Sequence, residues 1–201
     1  KSLNDYLWER CPIEQAAYDV TTSAIGKFDP NLDRPRIYLI PSSLSAGEIA
    51  RILREGYDVA RLNDGLHELV AALELDFLLI DTHPGVNEET LLSIAVSDKF
   101  LLVLRPDSQD LQGTSVTVEL ARRLNVNEIL VMLNKVPDSL DRAALREQVE
   151  GGYRAPLIGI LPLNDEMAEL ASSGIFVNRH PQHPFTRELK QVADRLMQPP
   201  A

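Results

Sequence analysis

Four positions hold residue types that can do chemistry together: Asp81, Gly85, Asn134 and Pro162. Asp81 closes the apolar run Phe77-Leu78-Leu79-Ile80 and opens the turn Thr82-His83-Pro84-Gly85. A carboxylate in that place suits Mg²⁺, held through a water because this ion gives up its hydration reluctantly. Thr82 can add a hydrogen bond. Gly85 lets the backbone come close to a terminal phosphate and offer its N–H. The rival reading of Asp81 is a residue that merely starts a turn. Asn134 follows Ile129-Leu130-Val131-Met132-Leu133 and carries an amide that both donates and accepts, as an adenine edge requires. Its plainer reading is a strand-ending turn residue. Pro162 has no N–H, so a carbonyl beside it is left to face a ligand. An ordinary strand-to-helix corner, with Asp165 as the helix N-cap, accounts for it as well.

These positions matter because of the elements that must carry them. Apolar runs alternate with helix-period segments, the pattern of a parallel α/β sheet. The expected strands are Arg36–Ile40, Phe77–Asp81, Phe100–Leu104, Ile129–Leu133 and Leu157–Leu161. The Phe77 run, apolar at four consecutive positions, reads as a strand buried on both faces. Ser45 and Glu48 have capping-box spacing for a helix through Leu53. Asp58 can cap a longer helix with Leu62, Leu66, Leu69, Val70 and Leu73 on one face. Asn87 is placed to cap a helix through about Val96. Further helices are expected over 113–124, 141–149, from Asp165, and over 184–197. Residues 25–36 read as a surface connection after two short N-terminal helices. In a parallel sheet all carboxyl ends line one edge, where open α/β sheets bind ligands. Four such ends carry unusual residues: Asp81, Arg105-Pro106-Asp107, Asn134-Lys135 and Pro162-Leu163-Asn164-Asp165. Together they suggest a polar ligand crevice. The expected fold is one domain over 1–201, a three-layer α/β sandwich with a mostly parallel sheet.

Size and charge narrow the function. The 201 residues are 44% hydrophobic, enough for a core that folds alone. The formal net charge of −10 disfavours general binding to nucleic acid or anionic membrane. A single cysteine, Cys11, allows no internal disulfide and fits a reducing, cytoplasmic setting. No apolar run approaches a membrane span, and no signal peptide is recognised. The chain starts at Lys1, as a fragment or processed form would.

With those residues in view, the chain resembles the MinD/ParA family of deviant-Walker P-loop ATPases, over about Ser2 to Leu196. Asp81 to Gly85 is similar to the family's switch II, with His83 and Pro84 where Pro and a small residue are more usual. Asn134 matches an Asn that contacts adenine at a strand end. Leu161-Pro162-Leu163-Asn164-Asp165 is similar to a corner giving the base a backbone contact, one residue longer. Glu169–Val177 looks like the family's short helix followed by glycine and an apolar pair. Leu3–Val20 is similar to two short helices after switch I. The resemblance implies ATP and Mg²⁺ as cofactors, slow hydrolysis, a nucleotide-gated homodimer and an unidentified activating protein. It implies work in spatial positioning or partitioning, of a division site, chromosome, flagella or cargo. It also places the family's first strand and its lysine-rich phosphate loop upstream of Lys1, because no G-x-x-x-x-G-K-[ST] occurs in the chain. Without its central strand, the sheet is expected to keep an open edge and the chain alone to be poorly soluble.

Other readings stay in play. A non-catalytic α/β binding module, unable to hydrolyse nucleotide for want of the loop, is the main alternative. A guanine reader of the N-K-x-D kind fits Asn134–Asp138 poorly, since the acid falls one position late. An iron–sulfur carrier is disfavoured by the lone cysteine. His180 and His183 read as a plain surface loop rather than a metal site, and His67 as solvated. His83, in the switch loop, is either a contact to nucleotide or partner or a turn filler. Arg122-Arg123 and Arg105 invite DNA, but two arginines at a helix end also complement its dipole, and the acidic whole favours that. The chain end, Pro199-Pro200-Ala201, has no counterpart of an amphipathic membrane tail.

Overall fold

Ser2 begins the first element by reciprocal capping: its Oγ accepts from the Asp5 N–H, and the Asp5 carboxylate accepts from the Ser2 N–H at 3.0 Å. The computed structural model describes residues 1–26, 35–43, 45–82, 85, 88–171 and 173–199. They divide into two compact units, Lys1–Asp81 and Thr82–Ala201.

The first unit runs α1 (Leu3–Leu7), a 3₁₀ turn (Ile13–Ala16), β1 (Tyr18–Asp19), α2 (Thr21–Ile25), β2 (Tyr38–Leu39), α3 (Ala46–Glu55) and α4 (Val59–Ala72). Its core gathers Tyr6, Leu7, Cys11, Ile13 and Leu69, with Leu62, Leu73 and Leu75 packed alongside. Asp58 caps α4 as expected, accepting from the Arg61 N–H at 3.1 Å. The Tyr6 hydroxyl donates to the Arg61 carbonyl at 2.8 Å, and the Arg61 guanidinium lies over the Tyr6 ring. Gly65 makes this possible, because a Cβ there would collide with that ring.

Three expectations are corrected in this unit. The capping box at Ser45 does not form; Ser45 is the N-cap of α3 without a side-chain bond. Glu48 instead takes the Arg10 guanidinium at 2.8 Å, a stronger, charge-assisted partner from 38 residues away. The run Arg36–Ile40 yields only the two-residue β2, which pairs antiparallel with β1 rather than entering a parallel sheet. The largest departure is Phe77–Asp81. No strand among the described residues pairs with it, and its side chains face solvent, Phe77 at 59% and Leu79 at 88% exposure. An apolar run becomes a buried strand only when a neighbour takes its N–H and C=O groups and layers cover its faces. The described chain provides neither here.

The second unit supplies both. It contains α5 (Glu88–Ala95), β3 (Lys99–Leu104), α6 (Ser108–Arg123), β4 (Glu128–Val136), α7 (Arg142–Tyr153), β5 (Leu157–Pro162), α8 (Asp165–Leu170), α9 (Phe176–Arg179) and α10 (Pro184–Met197). The strands form a parallel sheet in the order β3-β4-β5. One face packs Leu102, Leu104, Val131, Leu133 and Val136 against Val118 of α6 and Leu145 and Val149 of α7. The other packs Met132 and Leu161 against Phe176 of α9 and Phe185 and Val192 of α10. Helices on both faces of a parallel sheet make the expected three layers. The α10 backbone approaches β5 closely because residue 159 is glycine; a Cβ there would run into Val192.

At the amino ends of the strands, the Glu128 carboxylate joins Lys99 of β3 at 3.1 Å and Arg195 of α10. Helix α10 starts where expected, at Pro184, with the His183 Nδ1 accepting from the Phe185 N–H at 3.1 Å. The Asn87 cap falls outside the described residues. The Asp165 cap is corrected: Asn164 is the N-cap of α8, its Oδ1 accepting from the Met167 N–H at 3.1 Å, and Asp165 is the first helical residue.

Candidate functional site

The carboxyl ends of β3, β4 and β5 share one edge of the sheet because the strands are parallel and in register. Arg105-Pro106-Asp107 leaves β3, with Arg105 and Asp107 paired at 3.5 Å. Asn134 and Lys135 lie in the last turn of β4, and Pro162 ends β5. Val136 is in register with Pro162, and the Leu163 N–H donates to the Val136 carbonyl at 2.9 Å. The structure therefore brings Asn134 and Pro162 onto neighbouring strands at one rim, both half-buried.

The end of β4 is not a regular strand. Leu133 is opposite Ile160 and Val136 opposite Pro162, so Asn134 and Lys135 together face the single residue Leu161. This is a β-bulge, a device that re-aims side chains beside binding sites. Lys135 takes the left-handed conformation, φ 56°. Its N–H donates to the Asn134 Oδ1 at 2.9 Å.

Asp81 is the last residue of the first unit, exposed, and follows the unpaired Phe77 run. Gly85 belongs to the second unit with φ 105°, a conformation open to glycine and strained for other residues, and a Cβ there would meet no described atom within 4 Å. His83 and Pro84 lie outside the described residues.

The side candidates resolve into structural roles. His180 stacks on Phe176 with ring centroids 4.6 Å apart and lies 3.7 Å from Glu166. His183 caps α10, and among the described residues no group of three metal-capable side chains occurs. His67 is exposed. Arg122 donates to the carbonyls of Tyr153 and Arg154, and Arg123 pairs with Glu119 at 2.6 Å. No helix of the described residues is long and apolar enough to cross a membrane.

Sequence reasoning placed Lys135 and Asn164 at strand ends but missed the left-handed turn of the first and the capping role of the second. The signal for the first was present: Leu133 and Val136 are three apart where a strand facing one core needs two or four. Asn164 stood one place before the acid chosen as the cap.

Compared with solved structures, the chain matches MinD cell division protein of Aquifex aeolicus with a TM-score of 0.77 and 18% identity, over 98% of this chain and 75% of that one. The MinC:MinD complex of the same organism matches at 0.75 with 17% identity, over 98% of this chain and 73% of the other. A ParA family ATPase of Chlorobium tepidum matches at 0.68 with 17% identity, over 98% and 75%. The fold is that of the MinD/ParA ATPases. Two uncharacterized ATP-binding proteins of Methanocaldococcus jannaschii are also similar. One is 22% identical over 197 residues, covering 98% of this chain and 67% of the relative. The other is 28% identical over 173 residues, covering 85% and 57%. The chain thus spans between about half and two thirds of the length of the curated relatives it matches. No family model matches it.

Proposed function

We propose that the gene product is an ATP-dependent molecular switch of the MinD/ParA type. The observation that carries this reading is the meeting of Asn134 and Pro162 on adjacent parallel strands at the sheet's carboxyl rim. An amide and a prolyl corner at such a rim suit the edge of a purine, and the ATP-binding relatives support adenine.

Asp81 fits Mg²⁺ held through water: its carboxylate is exposed at the end of the apolar run, where a hydrated ion can reach it. A nucleotide-bound Mg²⁺ needs one or two carboxylates and the substrate phosphates rather than a protein cage. When bound, the ion neutralises charge on the transferring phosphoryl group. Asp81 orients the attacking water and is the catalytic residue of this proposal. Gly85, with an open left-handed backbone, gives its N–H to the terminal phosphate. The proposal requires a phosphate loop, and Lys1–Ala201 contains no G-x-x-x-x-G-K-[ST].

Nucleotide would gate a homodimer, and an accessory protein would trigger hydrolysis, in the service of positioning a division site, chromosome, flagella or cargo. The presence of a MinC:MinD complex among the structural neighbours supports a protein partner of some kind. The cytoplasm is the proposed location.

The test uses the full-length gene product. Asp81→Ala is expected to abolish ATP turnover with ATP binding retained, and Asn134→Ala to weaken ATP binding with the fold intact. Unchanged turnover in Asp81→Ala removes that residue from the mechanism. A wild-type protein that shows neither turnover nor a nucleotide-dependent rise in melting temperature is the non-catalytic binding module instead.

A further inference from the structure

Strand β4 keeps its two faces apart by strict alternation up to its last turn. Val131 and Leu133 enter the core under α6 and α7, while Met132 enters the core under α10. Continued alternation would bury Lys135 beside Leu133 and turn Val136 to the other face. The reverse is observed. Val136 is 1% exposed and packs with Leu133, while Lys135 is exposed. The left-handed turn at Lys135 absorbs one residue and resets the register. An L-residue with a Cβ is disfavoured there relative to glycine. The same turn aims the Lys135 N–H at the Asn134 Oδ1, which holds the amide by its oxygen.

We infer that Lys135 is a positioning residue for base recognition: its left-handed backbone holds the Asn134 amide so that Nδ2 donates to an acceptor nitrogen of a purine ring. This rests on the reading of Asn134 as the base-contacting residue. The chemistry follows from the inventory of the amide. With Oδ1 engaged by the backbone, the two Nδ2 hydrogens are the groups best placed to read a ligand, and every purine ring offers acceptor nitrogens. The Lys135 side chain has no part in this. The backbone does the work, so glycine replaces lysine without loss, whereas a β-branched residue, which the left-handed region excludes, does not.

The experiment measures dissociation constants of the full-length gene product for ATP and for tripolyphosphate, which has no base. Lys135→Val is expected to weaken ATP about tenfold and leave tripolyphosphate unchanged, while Lys135→Gly keeps ATP within about twofold of wild type. In an Asn134→Ala background, Lys135→Val should weaken ATP no further, since the two act as one unit. Three results overturn the inference while sparing the base site: Lys135→Val binding ATP like wild type, an equal loss for tripolyphosphate, or effects that add to those of Asn134→Ala. A loss of ATP affinity in Lys135→Gly also overturns it, because the side chain would then be the contact. If Lys135→Val does not fold, Lys135→Thr, β-branched but polar at this exposed position, takes its place with the same expected and overturning outcomes. If Asn134→Ala itself binds ATP like wild type, the base-site reading falls and takes this inference with it.

Discussion

Phe77-Leu78-Leu79-Ile80 in the first unit and Leu130-Val131-Met132-Leu133 in the second are nearly interchangeable as sequence, and they end up as opposites. The second run pairs with β3 at every position and with β5 from Val131 onward, and helices cover both faces. The first pairs with no described strand and stands in solvent. Each run states only that burial would be favourable. Whether burial happens depends on neighbours that the run does not encode. An exposed apolar run of this kind is an aggregation hazard.

The contrast can be broken most severely by hydrogen exchange. Amides of residues 130–133 should open only with the unit, while those of 77–80 should exchange at least about a thousandfold faster. Comparable protection would mean that a strand partner is present in solution. Next, Leu133→Ala should destabilise the second unit by about 3 kcal/mol, as for a fully buried leucine, while Leu79→Ala stays within about 0.5 kcal/mol of wild type. Equal losses in chemical denaturation would erase the difference between the two runs. Gly159→Ala should cost about 2 kcal/mol, because the added methyl forces Val192 and α10 away from β5. Pairing it with Val192→Ala should recover part of that loss; additive losses would place the strain elsewhere.

The smallest effect concerns pH in the first unit. Burial works against the Asp5 carboxylate, but the Ser2 backbone N–H and the Arg10 guanidinium prevail and hold its pKa below the usual aspartate range. A lowered folded-state pKa gives stability that is present above the ordinary aspartate pKa and lost as pH falls through the lowered one. Acid titration should therefore remove a small stabilising contribution that Asp5→Asn lacks at every pH. Parallel titration curves for the two proteins would show that the capping box carries no such linkage.

Much of the architecture was legible. The three paired strands lie within three residues of their expected ends, Asp58 caps α4, and α10 spans 184–197 as its apolar spacing indicates. These succeed because hydrophobic period and capping chemistry are local. One failure is local, the cap that falls on Asn164 rather than Asp165; the larger ones are non-local. Glu48 has the spacing to cap α3 and is drawn off by Arg10. Tyr38–Leu39 has strand composition, and its antiparallel partner is set by the chain's path. At the candidate site, the rim residues Asn134 and Pro162 were legible because strand ends are. The bulge left one trace, the three-residue spacing of Leu133 and Val136, while lysine itself gives no hint of a left-handed backbone where glycine or asparagine would have announced one.

Cys11 gives the first unit a gauge of its own. It is the chain's one thiol and is buried with Tyr6, Leu7, Ile13 and Leu69. A thiol-specific reagent is thus blind to the parallel sheet and reacts only as fast as this small helical cluster breathes. The labelling rate, followed with and without nucleotide, converts a lone sulfur into a clock for one half of the molecule.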